Sequence, residues 1–322
     1  MNKEYDVVAL GELLIDFTQN GMSDQGNPLF EANPGGAPCN VLAMLNKLDK
    51  RCAFIGKVGD DIFGRSLRDT VASSGINIDA LVLDPTVNTT LAFVQTFENG
   101  DRDFSFYRNP GADMMLTADE IHEDLIKSAK IFHFGTLSMT HDAVREATKK
   151  AVRIAKENGC LISFDPNLRP PLWSSLDAAR EQIEWGLSQC DVLKIADNEI
   201  EFLSGSADFD EGADYLKKNF PNIRLFNITA GPDGSYSYYE DQKVFVPAFQ
   251  LGGTIETTGA GDTFCACVQA FVLDNGLDGL TESDLTNMLR FANAAAYFVT
   301  TKKGAIRSMP DRADVEKILS EN

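Results

Sequence analysis

The chain has 322 residues, 43% of them apolar, which is enough for a sizeable core in one large domain or two. Its 48 acidic and 29 basic residues leave a formal net charge of −19, a surface that repels nucleic-acid phosphates and anionic lipid and suits a small molecule or a protein partner better. No apolar run reaches the ~20 residues that span a bilayer, and Met1-Asn2-Lys3-Glu4-Tyr5-Asp6 lacks the basic-then-apolar pattern of a signal peptide.

The chain opens on a strand, Val7-Val8-Ala9-Leu10. Residues 12–33 follow as short extended pieces broken by Gly21, Gly26 and Pro28, a pattern that predicts a small β-sheet projecting from the main body. A helix is predicted over 37–49, where Val41, Leu45 and Leu48 share one face. Next come a strand at Cys52-Ala53-Phe54-Ile55 and a helix over 61–75. Residues 88–109 read as a hairpin, with 90–97 and 102–108 flanking the turn Glu98-Asn99-Gly100-Asp101. Four more strands are centred on 131–134, 161–164, 192–195 and 225–228, with helices near 141–158, 176–188, 197–204 and 211–219. A hairpin over 235–249 reads as an edge feature, and helices return near 259–275 and 285–302.

Near-continuous apolar strands alternating with helices imply a parallel sheet covered on both faces. With no internal repeat or linker, residues 1–322 read as one domain carrying a lid at about 12–33 and 88–109. The six cysteines, at 39, 52, 160, 190, 265 and 267, form no CxxC pair and read as small core residues of a reducing cytoplasm. Histidines 122, 133 and 141 lack metal-ligand spacing.

The stretch Glu256-Thr257-Thr258-Gly259-Ala260-Gly261-Asp262-Thr263-Phe264 is the most informative. Small residues just before a helix let backbone N–H groups converge, and the helix terminus adds partial positive charge. Such an anion hole can hold phosphate oxygens and the charge that grows on them during transfer. Asp262, at the helix start, reads equally as a base that takes a proton from an attacking hydroxyl or as a helix cap. There is no GxxxxGK[ST] loop, and no GxGxxG follows a strand.

Five ordered segments carry a resemblance. Thr257-Thr258-Gly259-Ala260-Gly261-Asp262 resembles the C-terminal signature of the ribokinase-like (pfkB) carbohydrate kinases, and Gly35-Gly36-Ala37-Pro38-Cys39-Asn40 the N-terminal one. The run from Ile55 to Gly64, the loop Thr229-Ala230-Gly231-Pro232-Asp233-Gly234, and Gly11 to Asp16 are similar too, so the likeness covers about residues 5–312. It implies a three-layer α/β/α sandwich with a mostly parallel central sheet and a small β-sheet lid. It also implies an ATP- and Mg²⁺-dependent sugar kinase with Asp262 as the base and the Gly259, Ala260 and Gly261 amides as the anion hole. By the same resemblance Asp16, Gly35, Gly36 and Asn40 bind the sugar, and Lys194, Thr229, Gly231, Gly234, Gly259 and Gly261 border ATP, with Asn293 at the adenine end. Glu199 orders the metal through water, with Glu201 the competing choice. Glu256 stands where the family usually has an Asp of a monovalent-cation site, which leaves potassium activation open. Family members often pair their lids, so a homodimer is implied.

Two segments address which sugar. Phe164 to Trp173, with Arg169, and Asp103 to Arg108, with Ala112-Asp113, resemble the fructokinase and 2-keto-3-deoxygluconate kinase branches. Arg108 and Arg169 bring positive charge toward the reacting end. The lid has Phe93, Phe104 and Phe106 where the sugar-acid branch often has tyrosines, and phenylalanine offers no hydroxyl to a carboxylate. A neutral ketose, fructose, is therefore the expected substrate. The alternatives are 2-keto-3-deoxygluconate, another sugar, or a non-catalytic sugar- or nucleotide-binding regulator.

Overall fold

The computed structural model describes residues 3–96 and 102–322, and the backbone alone at 95, 96 and 102–104. Its strands are β1 (Tyr5–Leu10), β2 (Leu14–Met22), β3 (Pro28–Gly35), β4 (Cys52–Gly59), β5 (Asn77–Asp84), β6 (Leu91–Thr96), β7 (Arg102–Tyr107), β8 (Ala129–Gly135), β9 (Leu161–Asp165), β10 (Val192–Ala196), β11 (Leu225–Thr229), β12 (Gly234–Tyr239) and β13 (Gln242–Pro247).

Nine of them form one sheet in the order β13-β12-β11-β10-β9-β8-β1-β4-β5. From β5 to β11 the pairs are parallel; the hairpin β12–β13 closes one edge antiparallel. The central strands are apolar on both faces because helices cover both. On one side lie the helices Ala37–Lys47, Ala260–Asn275 and Glu282–Thr300, around Phe54, Leu45 and Phe264. On the other lie Asp142–Glu157, Leu176–Gln189 and Phe209–Asn219, around Phe132, Phe134 and Phe164. Each of these fully buried rings stabilises the fold by about 1.5–3 kcal/mol.

Edge strand β5 and the terminal helix Arg312–Glu321 were not legible in the sequence. In β5 only Ala80 and Asp84 are buried, and its apolar run Ala80-Leu81-Val82-Leu83 is short and flanked by Asp79 and Asp84, as an edge strand allows. The terminal helix buries Val315 alone, too little to set a clear period.

The second sheet has the order β3-β2-β6-β7. In its register Asp16 stands beside Ala92, and Ala92 beside Phe106, so these share one face with Leu14, Thr18 and Val94. The opposite face carries an aromatic cluster in which Phe17 stacks on Phe93 at 4.8 Å, with Phe30 and Tyr107 edge-on. Phe93 therefore points away from the face that carries Asp16, because strand neighbours alternate sides. The Phe104 side chain lies outside the described residues. Among the described residues no helix is long and apolar enough to cross a membrane.

Candidate active site

A cleft of about 580 Å³ runs between the inner face of the second sheet and the ends of the main sheet's strands. Its floor is the start of the helix Ala260–Asn275. Gly259 precedes that helix at φ +80°, and a Cβ there would come within 2.8 Å of Ala305 Cβ, so both conformation and space call for glycine. The helix is buried nearly all round, which drives it into the core and turns its N-terminus to the cleft. Gly259, Gly261 and Asp262 line the cleft. First-turn N–H groups lack intrahelical acceptors and are open to an anion. Ala260 departs from expectation: it does not line the cleft, and its N–H bends back to the Thr257 carbonyl at 3.3 Å.

Asp262 Oδ2 accepts a hydrogen bond from Asn40 Nδ2 at 2.7 Å, across 222 residues of chain. Burial pushes the Asp262 carboxyl up to about 6, helped by the Asp165 charge and opposed by Asn40, Lys194 and Arg169. Asn40 sits in the first turn of Ala37–Lys47, and its Oδ1 is buried with no hydrogen-bond partner among the described residues. An orphan acceptor of this kind costs stability unless a ligand donates to it.

Asp16 faces the same cleft, its carboxyl raised to about 7 by burial, with Arg169 opposing and Glu256 and Asp262 adding to the rise. A Cβ on Gly35 would lie 2.4 Å from Asp16 Oδ2, and one on Gly36, at φ +128°, would lie 2.4 Å from the Glu12 carbonyl. The two glycines thus leave room for Asp16 and let the chain turn into the helix. Arg169 lines the cleft, with one N–H on the Leu168 carbonyl at 3.1 Å. Leu14, Val94, Phe106 and Leu137 are its apolar walls.

Toward the other end, Lys194 Nζ lies 3.2 Å from Asp165, both side chains buried. Burial lowers the pKa of this lysine, but Asp165, Glu199 and Asp262 outweigh it and leave the group charged. A Cβ on Gly261 would come within 3.1 Å of Nζ, so the ammonium lies against the helix terminus. Together with Arg169 it supplies the local positive charge that a chain of net −19 needs to bind an anion. Glu199 is buried; its two oxygens accept the Leu168 and Ala196 N–H groups at 2.7 and 2.8 Å, and burial raises its pKa despite Lys194. Glu201 is exposed. Asp197 and Asn198 line the cleft beside Glu199 with oxygens of the type a hydrated hard cation takes, although among the described residues no group of three or more His, Cys, Asp or Glu side chains is gathered to hold a metal ion directly. Thr229 and Gly231 line this end.

Three expected contacts lie elsewhere. Arg108 does not line the cleft: its guanidinium is spent on Asp113 at 2.6 Å, Thr140 and the Leu137 carbonyl, and both members of the ion pair are 2% exposed. Asn293 is a buried strut, accepting from Ser235 Oγ at 2.9 Å and donating to the Val246 and Pro247 carbonyls. Gly234, at φ +133°, leaves room for the Val246 carbonyl, 2.3 Å from where a Cβ would stand, and so serves the β12–β13 pairing. Glu256 reaches the Gly304 N–H at 2.8 Å.

Glu12 and Asp165 were not singled out from the sequence. Glu12 lies in the cleft wall, accepts the Ala37 N–H at 2.7 Å, and is raised to about 7 chiefly by burial. Its spacing of two from Leu14 and four from Asp16, the period of β2 carried back ahead of the strand, was the signal that could have found it. Asp165 is identified only by the lysine across the sheet.

A protein-family model described as pfkB family carbohydrate kinase matches residues 5–312. Fructokinase-2 of Solanum habrochaites is 41% identical over 315 residues, 97% of this chain and 95% of that protein. Fructokinase-1 of Zea mays is also 41% identical, covering 97% of each chain. A solved structure of fructokinase with bound ATP from Xylella fastidiosa superposes with a TM-score of 0.89 at 29% identity, over 98% of both chains. The fructokinase of Vibrio cholerae O395 with bound fructose, ADP and calcium gives 0.87 at 29%, over 98% and 99%. With the fold, the cleft and these likenesses in agreement, the chain belongs to the pfkB family of carbohydrate kinases.

Proposed function

We propose that this carbohydrate kinase is an ATP-dependent fructokinase that phosphorylates the 6-hydroxyl of fructose with Asp262 as general base. The observation that carries the reading is the Asp262–Asn40 pair: a carboxylate raised to about 6, hydrogen-bonded to an amide whose Oδ1 still needs a donor, at a helix N-terminus. A sugar hydroxyl supplies such a donor.

In the step proposed, the 6-hydroxyl oxygen forms a bond to the γ-phosphorus while the bond to the β-phosphate bridging oxygen breaks. The hydroxyl proton passes to Asp262. Positioning and charge neutralisation do most of the work in such transfers. The Gly259 and Gly261 segment and Lys194 face the growing negative charge, and Asp165 holds Lys194 in place. Asp16 and Asn40 orient the sugar, while Phe106, Val94 and Leu137 exclude water that would hydrolyse ATP. Glu199, with Asp197 and Asn198 beside it, would hold a hydrated magnesium ion, which neutralises phosphate charge when bound. Thr229 and Gly231 border the nucleotide. Arg108 and Asn293 act from behind the cleft walls rather than on the ligands. The Glu256 carboxylate near Gly304 leaves one oxygen for a potassium ion.

Phe30 and Tyr107 are 43% and 65% exposed on the aromatic face of the second sheet, apolar surface that supports pairing of two copies through their lids. The six cysteines are unpaired and buried, which supports a reducing cytoplasm.

A coupled ADP-release assay with ATP and Mg²⁺ over a panel of fructose, 2-keto-3-deoxygluconate, ribose and glucose tests the substrate. Fructose is expected to give the highest kcat/KM; a higher value for any other sugar overturns the assignment.

A further inference from the structure

The second sheet joins the main body at four chain crossings, near residues 13, 35, 90 and 108. A buried polar collar surrounds two of them. Thr90, the last residue before β6, donates its hydroxyl to Asp113 Oδ1. Arg108, the first residue after β7, donates from Nε to Asp113 Oδ2 at 2.8 Å. The same guanidinium donates to Thr140 Oγ1 at 2.9 Å and to the Leu137 carbonyl at 3.0 Å. Thr140 Oγ1 in turn donates to that carbonyl at 2.8 Å. Backbone bonds run alongside, from Ala112 N–H to the Asn88 carbonyl and from Ile15 N–H to the Thr90 carbonyl. A Cβ on Gly111 would come within 1.8 Å of Thr90 Oγ1, so the collar leaves no room for a side chain there.

We propose that Arg108 and Asp113 are positioning residues: a clamp at the lid hinge that couples the stance of the second sheet to the sugar end of the cleft. Arg108 lies two residues beyond Phe106 and bonds the carbonyl of Leu137. Phe106 is one of the cleft walls contributed by the lid, and Leu137 a wall contributed by the body. One guanidinium therefore sets the distance between the two walls. Asp113 makes the link two-stranded, since its two oxygens hold one crossing each. The planar fork of arginine matches a carboxylate and two further acceptors at once, a geometry lysine does not reproduce. Beside that pair Thr90 is 1% exposed and Thr140 half-buried, and the field of both Arg108 and Asp113 reaches Glu12, itself 3% exposed, in the cleft wall. The clamp thus abuts the cleft, and none of its atoms lines the cleft except through Leu137 and Glu12.

The inference rests on the chain being a sugar kinase, so its test includes a readout that needs no sugar. Arg108→Lys and the milder Thr140→Val, which removes one hydroxyl with its bonds from Arg108 and to the Leu137 carbonyl, are compared with the wild type. Amide hydrogen exchange at 14–18 and 105–108 is measured in the absence of ligand, and is expected to speed up about tenfold in Arg108→Lys. With fructose and ATP, the KM for sugar is expected to rise about tenfold in Arg108→Lys and about threefold in Thr140→Val, with the KM for ATP unchanged. Phosphate released without sugar turnover should rise as the lid seals less well. Unchanged exchange together with unchanged sugar KM in a folded Arg108→Lys overturns the proposal. If Arg108→Lys does not fold, an unaltered sugar KM and exchange rate in Thr140→Val overturn it instead. Faster exchange in a variant inactive on every sugar would sustain the clamp while refuting the substrate reading.

Discussion

Asp262→Asn tests the chemistry most directly, because the structure allows the amide to replace the carboxylate without repacking. The Asn40 Nδ2 bond needs only an acceptor oxygen, and the amide carbonyl can stand where Oδ2 stands now. What disappears is the proton acceptor and the negative charge. A positioned general base contributes about 10²–10⁴ in rate, or about 3–5 kcal/mol of barrier. We expect kcat to fall by that factor while fructose binding, followed by calorimetry, changes little. Stability should move the other way. The folded-state pKa of about 6 lies above the unfolded value near 3.8, so folding favours the protonated acid. The ionised carboxylate therefore costs stability progressively as pH rises from about 4 through about 6. At neutral pH that cost reaches up to about 3 kcal/mol, less to the extent that cleft water screens the charge. The asparagine variant should melt above the wild type at pH 7.5, and the gap should close below pH 4. A kcat within tenfold of wild type, or a lower melting temperature at pH 7.5, would refute the reasoning.

Other outcomes follow from the same geometry. Wild-type kcat/KM should decline on the acid side in two steps, because Asp16 titrates near 7 and Asp262 near 6; Asp16→Asn should leave only the lower limb in a pH–rate profile. Gly35→Ala pushes a methyl against Asp16 Oδ2, the movable end of a side chain, so the fold should survive while the sugar KM rises about tenfold. Glu199→Gln loses one of the two backbone acceptors and the negative charge; the Mg²⁺ concentration for half-maximal rate should rise about tenfold in a metal titration, and an unchanged value would remove Glu199 from that role. Lys194→Met strands Asp165 without its partner in the core, which should cost about 3–5 kcal/mol in denaturant unfolding. The same change removes a charge that lowers the Asp262 pKa, so the acid limb should move to higher pH.

Much of this was legible in the string of residues because it depends on local chemistry. Continuous apolar strands such as Val7-Val8-Ala9-Leu10 announce a buried parallel sheet, since only a strand covered on both faces carries no polar side. Gly259, Gly35 and Gly36 mark backbone that other residues cannot adopt or sites where a Cβ would collide, so their place in the sequence reports a tight approach. Asp262 at the start of an apolar helix and the di-glycine turn before Asn40 could be read without knowing that they meet.

Tertiary structure alone decided where charge is spent. Arg108 and Arg169 look alike as lid-side or loop cations, yet one is consumed by Asp113, Thr140 and Leu137 while the other lines the cleft. Asn293 and Asn40 are both buried amides, but every polar atom of the first has a partner and the second keeps Oδ1 open. The physical reason is that a side chain's donors go to whatever acceptors the fold brings within about 3 Å, whether 29 residues away, as Leu137 is from Arg108, or 222, as Asp262 is from Asn40. Local propensity records a residue's own bonding capacity and backbone preference, whereas its partners are fixed only when the strands have crossed and the helices have packed.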